Sequence, residues 1–160
     1  MRRRQAGWTL VELLVVLTLV AAAAAGLWRL QPLRGRLALR VAATALVSDL
    51  RMVQARSLGE RNPDRAHGLV LSVGSDRYLR VVRTAGVVEA AEMRILPFGV
   101  RITYARFGGA VPTTVWFTGG SWFGAPSGGG TVTLASGPLR LCVRLMPATG
   151  RARVAHTGCP

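Results

Sequence analysis

The chain has no lysine. All 21 of its basic residues are arginine, set against seven acids for a net charge of +14. The missing lysine removes the phosphate-cradling side chain of a nucleotide loop and the amine of a Schiff base. Histidine and cysteine are almost as scarce. His67 and His156 fall in different segments, and Cys142 and Cys159 form no pair at metal-ligand spacing. The glycine clusters match no nucleotide fingerprint opening a helix. These gaps argue against an enzyme, and no catalytic residue, metal or cofactor is expected. The chain also lacks an internal repeat and any linker long enough for a second domain, so its 160 residues suit one modest domain plus whatever precedes it.

What it has instead is an apolar run, Trp8 to Trp28, 21 residues with the single charge Glu12. At about 1.5 Å per residue a helix of that length covers roughly 30 Å, the hydrocarbon thickness of a bilayer. A carboxylate inside such a run costs about 2.5–3.5 kcal/mol at mid-bilayer on insertion scales, so Glu12 calls for an explanation. Ahead of it stands a short basic leader ending in glycine, Met1-Arg-Arg-Arg-Gln-Ala-Gly7. A secretory signal is disfavoured, because the run is long and the plausible cut precedes it. A plain anchor with Glu12 at the interface is the alternative.

The leader, Gly7 and Glu12 resemble the processing site of type IV prepilins and type II secretion pseudopilins. The resemblance implies cleavage after Gly7 by a prepilin peptidase and methylation of the new N-terminus at Trp8, where the family usually has Phe. It also implies that Glu12, five residues into the mature chain, pairs with the N-terminal amine of a neighbouring subunit and sets the register of assembly. Paired, two ions in an apolar medium cost far less than either alone.

Arginines flank the run on both sides, Arg2, Arg3 and Arg4 before it and Arg29, Arg34, Arg36 and Arg40 after it, so the positive-inside count is a draw. The resemblance resolves it, placing the C-terminal domain in the periplasm of a bacterial inner-membrane protein with one transmembrane pass. Pro32, which lacks an N–H, is expected to kink or interrupt the helix, with Gly35 a second weak point. Helical periodicity then resumes, with Leu39, Ala42, Leu46, Leu50 and Val53 forming one apolar stripe. Gly59 and Asn62-Pro63 end it. From His67 on, short runs rich in Val, Leu, Ile, Tyr and Thr predict strands at 67–73, 78–83, 92–95, 100–105, 113–118, 131–135, 139–145 and 151–155. A Gly-rich loop at 119–130 carries Trp122 and Phe123, which are expected to be buried.

The order of these elements is similar to the GspH/FimT branch of minor pilins and pseudopilins. It runs from Ala55-Arg56-Ser57 through Gly68-Leu69-Val70-Leu71, Phe117-Thr118-Gly119-Gly120 and Leu139-Arg140-Leu141 to Gly150-Arg151-Ala152-Arg153-Val154. It implies an α+β, pilin-like fold in which a long N-terminal helix packs on an antiparallel, mainly β domain. The divisions would be a leader at 1–7, a transmembrane helix at 8–30, its amphipathic continuation at 31–60 and a periplasmic β domain at 61–160. Other pilins or pseudopilins would be its partners, and initiating or capping a filament its role.

Two features near the C-terminus remain. Cys142 and Cys159 lie 17 residues apart, and in an exported domain a disulfide between them is permitted. Arg151 and Arg153, spaced i and i+2, would share one face of a strand and suit two phosphates of a double-stranded DNA backbone. In DNA-uptake members of the FimT branch a Gly-Arg-x-Arg tail is associated with DNA binding, which makes Gly150, Arg151 and Arg153 candidate DNA contacts, and Arg144 and Arg140, which share a two-residue parity with each other, would widen the patch. The alternative is that arginine on an exposed edge strand only guards against aggregation.

Overall fold

Helix α1 (Leu10–Gly59) precedes eight strands in a computed structural model that describes residues 9–97, 99–119, 124–155 and 158–160, without the side chains of 27–32. Two units divide the chain, residues 1–34 and residues 35–160. In the first, every described side chain from Leu10 to Gly26 is exposed. These 17 residues amount to about 25 Å of helix, and among the described residues no helix is long and apolar enough to cross a membrane. The rest of the apolar run, Trp8, Leu27 and Trp28, lies outside the described side chains. Pro32 and Gly35 do not interrupt the helix as expected; the backbone is helical through both. A proline removes one backbone donor, and the turns on either side persist without it. Gly35 has a different use: a Cβ there would stand 3.3 Å from Leu139 Cδ1 and 3.4 Å from Ser136 Oγ, so its smallness lets the helix lie close to that turn.

The second unit contains the whole core. Leu39, Ala42, Leu46, Leu50 and Val53 are each at most 4% exposed, and the helix ends at Gly59. At roughly 1.5–3 kcal/mol for each large aliphatic side chain buried, this stripe is the main tie between helix and strands. All eight expected strands are present: β1 (Arg65–Leu71), β2 (Arg77–Thr84), β3 (Val87–Ile95), β4 (Arg101–Phe107), β5 (Thr114–Thr118), β6 (Gly130–Ser136), β7 (Leu139–Leu145) and β8 (Ala152–Ala155). They form two antiparallel four-stranded sheets, ordered β3-β2-β1-β5 and β4-β6-β7-β8. The helix-facing sides supply Leu69, Leu71, Val115 and Phe117 from the first sheet and Ile102, Leu134, Val143 and Leu145 from the second, in one continuous core with the α1 stripe. Every core residue lies within 35–160, a compact unit that keeps the whole core when separated from what precedes it.

The expected third strand, 92–95, begins five residues earlier, at Val87. Apolar spacing marks only its C-terminal end, whereas the whole of β3 is exposed except Arg94. Its strand character comes from pairing with β2 rather than from a buried face. Trp122 and Phe123, expected to be buried, lie outside the described residues.

Candidate functional site

At the start of the helix the carboxylate of Glu12 has a partner in its own chain. Its Oε2 accepts from the Thr9 backbone N–H and from the Thr9 hydroxyl, each at 3.2 Å, while the Glu12 N–H donates to Thr9 Oγ1 at 3.3 Å. This reciprocal arrangement is a capping box, which satisfies two of the helix's orphan donors and sets a negative charge at the positive end of its dipole. The sequence reading gives Glu12 a partner only in a neighbouring subunit and misses Thr9. The signal was there, Thr-x-x-Glu directly ahead of an apolar run. Gly7 and Trp8 lie outside the described residues.

The second constellation is arginine on the outer face of the β4-β6-β7-β8 sheet. Cross-strand register aligns Arg106 with Thr131, Thr131 with Arg144, and Arg144 with Arg153, so one row crosses all four strands. Three strand spacings make it roughly 14 Å wide. A second row on the same face aligns Arg101, Ala135 and Arg140. The four strands of this sheet carry no acidic side chain, because Glu92 is the last acidic residue in the sequence. Arg144 directly opposite Arg153 is a like-charge pair that weakens the sheet on its own. Arg151 precedes β8 and is exposed, as is Arg153, with Ala152 between them buried at 1%.

Gly150 corrects the sequence reading. It is buried, with φ +65°, and a Cβ there would come within 2.5 Å of Gln54 Nε2. Gln54 in turn donates to Gly124 O at 3.0 Å and Thr149 O at 2.8 Å. Gly150 thus forms the turn that presents Arg151 and has no surface to offer a polyanion.

Beside the first row lies a groove of about 590 Å³ that Arg144 and Arg153 line together with Gly108, Gly128, Gly129 and Gly130. The glycines are there for close backbone approach. A Cβ on Gly130 would sit 2.2 Å from Arg106 O, and one on Gly128 would meet the Gly108 backbone at 2.7 Å. In the sequence these glycines are a turn at Gly108 and the end of the 119–130 loop, with nothing that connects them to the arginines.

The middle of the face is covered by the chain's own end. Cys142 and Cys159 are bonded, their Cα atoms 5.6 Å apart. The Thr133 hydroxyl donates to Pro160 O at 3.4 Å and Arg144 Nη2 donates to Gly158 O at 2.8 Å. Thr133 and Cys142 are fully buried in consequence, although their strand positions face outward.

Between α1 and the first sheet an ion cluster replaces apolar packing. Asp49 accepts from the Tyr78 hydroxyl at 2.8 Å and from Arg80 Nη1 at 3.4 Å, and Arg80 also pairs with Glu92. Burial and then the Asp49 carboxylate push the Tyr78 phenol well above its ordinary range. The Arg80 hydrogen bond holds the Glu92 carboxyl below its own. His67 in β1 is buried with Nε2 3.6 Å from Glu60 Oε2, while His156 lies outside the described residues. Among the described residues no three His, Cys, Asp or Glu side chains come together as a metal site.

The domain, a helix packed on two antiparallel sheets, has an α+β, pilin-like fold. Residues 2–28 match the prokaryotic N-terminal methylation motif. The domain is similar in structure to the minor pseudopilin EpsH of the type 2 secretion system of Vibrio cholerae, with a TM-score of 0.51 and 12% identity, covering 74% of this chain and 96% of that one. No curated protein matches the sequence. The chain thus carries a prepilin-type methylation motif ahead of a domain with the minor-pseudopilin fold.

Proposed function

We propose that this chain is a structural subunit of a prepilin-type filament, either a type II secretion pseudopilus or a type IV pilus. In this reading it is cut after Gly7, methylated at Trp8 and held in the inner membrane by residues 8–30, with its β domain in the periplasm. The observation that carries the reading is an uncharged stripe on the open side of α1. At 100° per residue, Leu37, Val41, Thr44, Ser48 and Ala55 lie on the side of the helix opposite the buried stripe, and all five are exposed. Leu37 is 65% exposed and Val41 50%. The stripe is aliphatic where it begins and small further on, with Arg51 at its border. Exposed aliphatics on a side that the helix's own domain leaves open mark a contact surface. Small side chains beyond them let a second helix come close. The test is Leu37→Glu with Val41→Glu in the full chain. The doubly substituted protein is expected to remain processed and membrane-bound but to vanish from sheared filaments. Normal incorporation would rule out this surface as the contact.

The outer face of the second sheet favours a second reading, a minor pilin that binds double-stranded DNA for uptake. Five arginines on strands that carry no acidic side chain, beside a glycine-floored groove, suit sequence-independent contact with phosphates. Arg151→Gln with Arg153→Gln in the 35–160 fragment is expected to abolish a duplex mobility shift at low salt. Unchanged affinity would remove the C-terminal arginines from the site.

A further inference from the structure

Four strand edges bound the two sheets, and three of them are blunted against pairing. β4 carries a bulge between Ile102 and Tyr104, with Arg101 and Arg106 exposed along it. β8 is four residues long and bears Arg153, and β5 is five residues long and bridged at Phe117 by Pro126. Short strands, bulges, proline and charge are the usual protections of an edge. β3 has few of them. It is nine residues long with no proline or glycine, and its pairing with β2 is regular from Ala90 to Ile95. Among the described residues no strand pairs with its other edge. Val87, Val88, Met93 and Ile95 are each more than half exposed. An edge of this kind is a template for another strand.

We propose that β3 pairs antiparallel with β3 of a second copy of this chain, about a two-fold axis at Met93. Charge permits a second copy at this edge. β3, with Glu89, Glu92 and Arg94, is the one strand whose net charge is negative, and every other strand is neutral or positive. Two copies of a chain at +14 repel across most of their surface, and β3 is where that repulsion is least. Self-complementarity then selects the register. An axis at Met93 sets Glu92 opposite Arg94 twice, on the helix-facing side, where the two side chains pair with each other, with Arg80 and with Asp49 in their own chain and are still 54% and 41% exposed. On the outer side it sets Met93 against Met93 and Ala91 against Ile95 twice. An axis at Glu92 would oppose two carboxylates, and one at Ala91 would leave Glu92 facing Ala90. Only the Met93 axis matches charge with charge and apolar with apolar, and the contact is isologous and closed.

The inference is independent of the filament reading, since it concerns a strand that reading does not use. Both natural cysteines are in the disulfide, so an introduced thiol is the free one. Purified full chain in detergent micelles, carrying Met93→Cys, is expected to oxidise to a cross-linked dimer in most of the sample. Val87→Cys, beyond the paired segment, should stay monomeric under the same treatment. A mixture of Ala91→Cys protein with Ile95→Cys protein should cross-link at least five-fold more than either alone, which reads the register without relying on position 93. The proposal is overturned if the Met93→Cys protein stays monomeric while folded, or if Val87→Cys cross-links equally well. It is overturned too if Met93→Cys joins only a different, heavier chain in the producing cell.

Discussion

Tyr78 on β2 and Asp49 on α1 meet across the helix–sheet boundary, the phenol donating to Asp49 Oδ2 at 2.8 Å in a site where Tyr78 is 3% and Asp49 7% exposed. The carboxylate also accepts from Arg80 and has the Arg94 guanidinium 3.7 Å away, so the phenol is one of two hydrogen-bond donors to a single buried anion. Tyr78→Phe keeps the ring packing and deletes one charge-assisted bond. The expected loss is about 1.5–3 kcal/mol, read as a lower urea midpoint with an unchanged slope for the 35–160 fragment. A loss near zero would mean that Arg80 and Arg94 satisfy Asp49 by themselves.

The same cluster sets the pH range of stability. Tyr78 titrates above its ordinary 10.0 in the fold because burial and Asp49 disfavour the phenolate. Its contribution is therefore complete below pH 10 and is lost as pH rises through the folded value. Glu92 titrates below its ordinary 4.5 because Arg80 holds the carboxylate, and its contribution is present above that value and lost as pH falls through the folded one. A thermal midpoint measured across pH should fall at both ends. Tyr78→Phe should flatten the alkaline limb, and Glu92→Gln the acid limb, each leaving the other unchanged.

Much of this architecture was legible because it rests on periodicity. The 39–53 stripe and the eight strands follow from apolar spacing of 3.6 and 2 residues, which a single sequence displays. The Asp49 cluster was not legible, because its members come from three elements and only the fold brings residue 49 to residues 78, 80, 92 and 94. The arginine row failed to appear for a related reason. Arg144 and Arg153 were singled out by local spacing, but Arg106 joins them only through the β4–β6 and β6–β7 registers. Gly150 was misassigned because its motif suggested contact with a ligand, whereas its positive φ and its packing on Gln54 are tertiary facts. Thr9 was missed for another reason, since its motif is local and could have been read.

The disulfide does more than close a loop. Chain entropy assigns about 3 kcal/mol to a bridge over this separation, and the tail it holds also covers Thr133 and supplies the carbonyl that Arg144 donates to. Cys142→Ser with Cys159→Ser is expected to lower the unfolding free energy of the 35–160 fragment by that amount, read from urea titration. It should also speed hydrogen exchange at β6 and β7 near Thr133 and Cys142 while leaving β1 and β2 protected. Uniform acceleration over both sheets would indicate a purely global effect with no local cover.

Glu12 has two roles that one substitution to alanine would confuse. It caps the helix through Thr9, and in the filament reading its charge sets the register against a neighbour's N-terminal amine. Glu12→Gln keeps the acceptor that the Thr9 N–H and hydroxyl use, since glutamine serves in a capping box, but removes the charge. Thr9→Val keeps the charge and removes the hydroxyl, at a cost of about 1 kcal/mol of helix stability. If charge pairing governs assembly, Glu12→Gln should lower the protein's share of sheared filaments by roughly tenfold or more, a difference of about 1.4 kcal/mol, whereas Thr9→Val should assemble nearly as well as the parent. Equal incorporation of the Glu12→Gln and parent proteins would leave Glu12 as a helix cap alone, and the register would then have to come from the exposed stripe at Leu37, Val41, Thr44 and Ser48.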